Sequence, residues 1–215
     1  MSVSEDRLVE PSPTSPAPAP AIADPAPLGL AGFALTTFLL SAANANWMTH
    51  ATGAAFIGYA LAYGGLCQLL AGMWEFRNRN VFGATAFSTY GGFWIGLYVW
   101  FVVIASKAPA SAAGAVNKDV GWILLSFAIF NTYMLIMSTQ VNLAVFTVFL
   151  TLEATEIIDA IAKFELGTAA TSGILQLGGY VGMVTALAAW YTSAAGVSNG
   201  IAGKIRLPVG KPLLA

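Results

Sequence analysis

Three acidic residues interrupt an otherwise apolar stretch of this 215-residue chain: Glu153, Glu156 and Asp159, in a run from about Asn142 to Ala162. Spacing by three places them within roughly a 120° arc of one helix face. An ionised acid at the middle of a bilayer costs about 2.5–3.5 kcal/mol on insertion scales. Such acids persist only if they face water, pair with a partner or hold a proton. Ionising Glu153 and Glu156 together is unfavourable near the centre of the run, so these two are the candidates to take up and release protons. Asp159, with Lys163 one turn on, is expected to reach the headgroup zone.

Uncharged polar residues recur in the other apolar runs. Thr36, Thr37, Ser41, Asn44 and Asn46 follow one another along the first, and Gln68 lies in the second. Thr85, Ser88 and Thr89 lie in the third, and Asn131 and Thr132 in the fourth. Hydroxyls and amides replace part of an ion's water shell without trapping it as a fixed Lys or Arg would, which is what conduction requires. They equally serve as interhelical hydrogen bonds, worth about 0.6 kcal/mol each. Thr36, Thr37, Asn44, Gln68, Thr85, Ser88, Thr89 and Asn131 are the candidates to line a substrate path.

The first run opens on Asp24-Pro25-Ala26-Pro27-Leu28-Gly29-Leu30. Asp24 is placed to cap a helix, and proline suits a first turn, where its missing amide hydrogen is not needed. The free N–H groups there can also attract an anion.

Enzymatic chemistry finds no support. The single histidine, His50, sits at the end of a run, and neither HExxH nor a nucleophile elbow occurs. Nothing matches a phosphate-cradling glycine loop, so neither an ATP engine nor a cofactor is expected. The lone cysteine, Cys67, excludes an intramolecular disulfide and reads as a small buried hydrophobe.

These residues must be positioned by membrane-spanning elements. The chain is 57% hydrophobic and only 9% charged, where soluble domains carry roughly 25% charged residues. A net charge of −1 argues against nucleic acid. Six runs are long enough to cross the roughly 30 Å core of a lipid bilayer as helices. They cover about Leu28–Met48, Thr52–Trp74, Phe82–Ala105, Val120–Thr139, Asn142–Ala162 and Thr171–Val197. Lipid offers no hydrogen bonds, so spans are helices or a closed barrel. The continuous runs lack the short alternation of barrel strands. The expected fold is therefore all-α and polytopic, with six transmembrane helices.

The Pro- and Ala-rich residues 1–23 are expected to form a disordered cytoplasmic tail, since they lack the basic start and apolar centre of a signal peptide. The transmembrane domain covers 24–200, and 201–215 form a second cytoplasmic tail. With six spans both termini share one side. That side carries Arg7, Arg77, Arg79, Lys204, Arg206 and Lys211 against Lys107, Lys118 and Lys163 opposite, which places both termini in the cytoplasm. Gly92 with Gly96, and Gly178 with Gly182, have the spacing that lets two helix backbones touch. Such contacts serve packing within the chain, a subunit interface or a narrow pore wall.

The stretch from Asp24 to Leu30, continuing through Ala31, Gly32 and Phe33 to Thr37, resembles the signature of the acetate uptake transporter family, the succinate–acetate permeases. Tyr63-Gly64-Gly65 through Trp74-Glu75, Asn80-Val81-Phe82-Gly83 through Phe93-Trp94, and Leu207-Pro208-Val209-Gly210 extend the resemblance. The signature begins with Asn where this chain has Asp24, which adds a negative charge. The resemblance implies a homohexamer in the cell membrane, each subunit carrying its own pore for acetate and other small carboxylates such as succinate. Permeation is then channel-like or proton-coupled. It also implies a constriction formed by Phe33, Tyr90 and, in the weakly matching fifth span, Leu152. The acids of the fifth span depart from the family pattern. Two other readings stay open: a channel for small neutral solutes such as urea or ammonia, and a membrane sensor that transports nothing.

Overall fold

The computed structural model describes residues 22–48, 55–201 and 203–214. The regular structure among them is helical, in six long segments. They are α1 (Ala26–Asn44), α2 (Phe56–Arg77), α3 (Val81–Lys107), α4 (Ala110–Ser138), α5 (Leu143–Glu165) and α6 (Gly173–Gly200). All but α5 are long and apolar enough to cross a membrane by length and composition. The 23-residue α5 has the length, but Glu153, Glu156, Asp159 and Lys163 lower its apolarity. The six-helix expectation holds. His50 and most of the leader lie outside the described residues.

The helices follow one another around the bundle as α3, α2, α1, α6, α5 and α4. The α3–α4 seam has few close backbone approaches. Aromatic rings fill it: Phe93 and Phe127 lie 4.6 Å apart by ring centroid, and Tyr90 and Phe130 5.5 Å.

Two helices depart from the unbroken runs expected. In α2, residues Ala62–Cys67 form a widened π-turn between α-helical halves. Thr36 of α1 places its hydroxyl against the carbonyl of Tyr59 just before that turn, at 3.4 Å. In α3, a second π-turn covers Trp100–Ile104, and a short 3₁₀ turn ends the helix. The fourth helix starts well before Val120, so Lys118 and Asp119 sit on an exposed helical turn and not in a loop. Hydropathy marks only the apolar part of a helix, and a polar turn can extend it beyond.

Glycine sets the helix spacing around α1. Gly32 lies against the Tyr63 backbone of α2, and Gly179 against the backbone of Ser41 and Ala45. Gly182 faces Ser41 and Thr155. The two glycine pairs read from spacing therefore differ. Gly178 and Gly182 pack inside the subunit, whereas Gly92 and Gly96 are exposed with open space beyond them.

The tail after α6 folds back over the start of α5. Tyr191 donates to the Pro208 carbonyl at 2.6 Å, and the amide of Ala144 donates to that of Val209 at 2.9 Å. The latter satisfies a free amide in the first turn of α5. The Leu213 amide reaches the Thr139 carbonyl.

Gly182→Leu is expected to push α6 off α1 and α5 and to cost about 1–3 kcal/mol or more through overpacking. Gly92→Leu has room within the subunit. Thermal unfolding of the two purified variants in one detergent checks this, with the larger loss expected in Gly182→Leu.

Candidate functional site

Helices α1, α3 and α5 all begin on the side that carries the C-terminal tail and run in the same direction through the bundle. Equal steps along them therefore reach equal depths, and three residues advance about 4.5 Å. Leu30, Phe87 and Phe149 line a cavity of about 490 Å³ on the tail side. Three residues further on each helix, Phe33, Tyr90 and Leu152 line a cavity of only about 30 Å³. On the far side, Leu40, Asn44, Leu97, Asp159 and Lys163 help to line a third cavity of about 200 Å³. Leu40, Leu124 and Asp159 border both the second and the third. The inner face of α1 runs past all three: a wide vestibule, a neck and a smaller far vestibule.

The three residues expected at a constriction thus meet in the neck, and all are buried. The Phe33 and Tyr90 rings stand edge to face, 5.7 Å apart. Room for about one or two waters remains there.

The helix-opening motif divides by role. Asp24, Ala26, Pro27 and Leu30 line the tail-side vestibule. Asp24 accepts from the Ala26 amide at 2.9 Å, so its carboxylate engages the helix start as expected. Pro25 and Pro27 supply anchoring carbonyls: Leu28 and Gly29 donate to the first, Ser193 of α6 to the second at 2.6 Å. Gly29 lies against the Phe87 ring.

The polar residues separate into path and packing. Thr37 lines the neck, and its buried hydroxyl has no protein partner. Asn44 lines the far vestibule and donates to Asp159 at 3.0 Å. Thr36 is fully buried and gives its hydroxyl to the Gly32 carbonyl at 3.0 Å, so helix packing takes it away from the path. Ser88 faces Gly72 of α2. Gln68, Thr85 and Thr89 line none of the three cavities. Asn131 is buried behind Tyr90, where it accepts from the tyrosine hydroxyl at 3.0 Å.

The acids of α5 also part company. Glu153 turns toward α4, accepting from Asn131 and from Thr132, each at 2.8 Å, and does not line the neck. Glu156 does, buried, with Oε2 lacking a partner. Asp159, expected to reach the headgroup zone, lies inside the helix bundle. It is buried, accepts from Asn44, rests its other oxygen against Gly178, and borders neck and far vestibule. The helix runs on to Glu165, a turn beyond the expected end, and packing against Asn44 and Gly178 buries Asp159. Sequence reasoning missed Asp159, Lys163, Ser41 and Thr155 as lining residues. Asp159, Ser41 and Thr155 each face a glycine of a neighbouring helix, a pairing that exists only once the helices pack.

Asn44→Leu is expected to leave both Asp159 oxygens without a donor and to destabilise the fold by about 1–3 kcal/mol. The double variant Asn44→Leu/Asp159→Leu removes both partners and should recover much of that loss. Thermal midpoints of the three proteins in one detergent check it.

Comparison with known proteins adds the following. A model described as the GPR1/FUN34/yaaH family matches residues 7–211. The ammonia transport outward protein 2 of Saccharomyces cerevisiae is 38% identical over 190 residues, covering 86% of this chain and 65% of that protein. Acetate permease A of Emericella nidulans is 37% identical over 197 residues, covering 87% of this chain and 65% of that one. The chain thus spans about 65% of the length of these fungal relatives. The succinate-acetate/proton symporter SatP of Escherichia coli K12 is 30% identical over 191 residues, covering 88% of this chain and 96% of SatP. The solved structure of the bacterial acetate channel SatP superposes with a TM-score of 0.78 at 29% identity, over 88% of this chain and 100% of that one.

Proposed function

The chain belongs to the GPR1/FUN34/yaaH family, and on that premise we propose that it carries acetate and other small carboxylates such as succinate across a membrane. The observation that carries this reading is the line of three cavities along α1, narrowed where three parallel helices bring Phe33, Tyr90 and Leu152 to one depth. A narrow apolar neck holds back water and ions until it widens. Acetate permease A and SatP, whose names state acetate transport, support the substrate class.

Protons enter through Glu156. It is the neck's own acid, whereas Glu153 is tied to α4. A protonated Glu156 leaves the neck without a charge, and an ionised one repels a carboxylate. Acid conditions then favour uptake through the protein as well as through the supply of acetic acid. The full assembly is a homohexamer with both termini in the cytoplasm. The outward-facing Gly92 and Gly96 support close contact between subunits.

A second reading, passage of ammonia, draws on the fungal relative named for it and on the two acids beside the neck. Flux in proteoliposomes separates the readings. Labelled acetate is expected to enter faster than through protein-free vesicles, more so under an imposed inward proton gradient, while labelled methylammonium and urea do not. Phe33→Ala is expected to admit larger carboxylates. Glu156→Gln mimics the neutral acid and is expected to flatten the pH dependence that remains when acetic acid is held constant. Equal acetate entry with and without protein would sink the transport reading.

A further inference from the structure

We infer that Asn131, locked by Phe149 and Glu153, draws the hydroxyl proton of Tyr90 away from the neck, so that the neck tyrosine accepts hydrogen bonds without donating them and favours a neutral carboxylic acid over its anion. The inference rests on the transport reading and specifies which form of the substrate the neck recognises.

Its geometry starts at Asn131, which is fully buried on α4. One neighbour of its amide nitrogen is the Phe149 backbone carbonyl, at 2.9 Å, which can only accept. Another is the Glu153 carboxylate, at 2.8 Å. Two acceptors consume both N–H groups, so the side-chain oxygen must face Tyr90. The only proton available in that 3.0 Å contact is the tyrosine's own. The ring cannot swing away to offer it elsewhere. Phe33, Phe93, Phe127 and Phe130 surround it with ring centroids 5.5–6.3 Å distant. Glu153 is held in turn by Thr132 at 2.8 Å. It is a positioning residue that acts on the neck through Asn131.

On the neck side, the lone pairs of the Tyr90 oxygen adjoin the Glu156 carboxyl, which is within hydrogen-bonding reach of that hydroxyl. Across the same small cavity, the Thr37 hydroxyl is buried without a partner. A carboxylic acid presents one O–H donor and one C=O acceptor, and matches this pair. A carboxylate presents acceptors only, and it meets the acids Glu156 and Asp159 in the same cavity.

The test reads charge movement and the state of the tyrosine. Acetate currents are recorded from the full chain in supported membranes, at one fixed pH. Asn131→Leu frees the tyrosine proton for the neck and is expected to raise the acetate current at least about tenfold over wild type. The added Tyr90→Phe change should remove that gain. Glu153→Leu should also raise the current, and Glu153→Gln, which keeps an acceptor for Asn131, should raise it less. The Raman ring-mode doublet of Tyr90, isolated as wild type minus Tyr90→Phe, needs no folded Asn131→Leu variant and should report a strongly donating hydroxyl. A Tyr90 hydroxyl that does not donate, or a wild-type acetate current equal to that of Asn131→Leu, would overturn the inference while leaving transport intact. No acetate movement through wild type, by current or by tracer, would overturn the transport reading and this selectivity with it.

Discussion

The close backbone contact of α1 with its two neighbours governs the rest of the molecule. In lipid, the hydrophobic effect does not press helices together, and small residues that let backbones approach take its place. Gly32 brings α1 onto the π-turn of α2, and Gly179 and Gly182 bring α6 onto α1. With α1 held on both sides, its inner face is exact enough to present Leu30, Phe33, Thr37, Leu40 and Asn44 in succession to the cavities. The neck is then completed from α3 and α5, which run parallel to α1 and so share its depth scale.

Buried acids are the second organising fact. A carboxylate without donors in a membrane interior is costly, and each acid of α5 meets that cost differently. Glu153 has two donors from α4, and Asp159 has Asn44 and the nearby Lys163. Glu156 retains an oxygen without a protein partner at the narrowest point. The acids thus form a graded series from the α4 seam to the far vestibule.

The C-terminal tail ties this arrangement together on one side. Val209 satisfies a first-turn amide of α5 and lines the wide vestibule, while Tyr191 and Asn199 of α6 hold the adjacent Pro208 and Leu207. The wall of the wide vestibule is therefore built partly from a segment with no helical structure. Its sequence, Leu207-Pro208-Val209-Gly210, includes a glycine at φ 74°, in the left-handed region that glycine adopts without strain.

Much of this was legible in the chain alone. Composition and the six apolar runs determined a helical membrane protein, because lipid permits few other solutions. The motifs around Asp24–Leu30, Tyr63–Glu75 and Asn80–Trp94 determined the family, and the resemblance implied a constriction of Phe33, Tyr90 and Leu152. What the chain alone left undecided was direction: where each polar side chain points once helices pack. Thr36 and Thr37 are adjacent and chemically alike, yet one bonds to helix carbonyls and the other lines the neck. Glu153 and Glu156 share a face by spacing, yet a 60° difference in bearing sends the first to Asn131 and Thr132 and the second to the cavity. Helical periodicity sets relative angles along one helix. Only the neighbours, their glycine contacts and their hydrogen-bond partners, decide which angle faces the path.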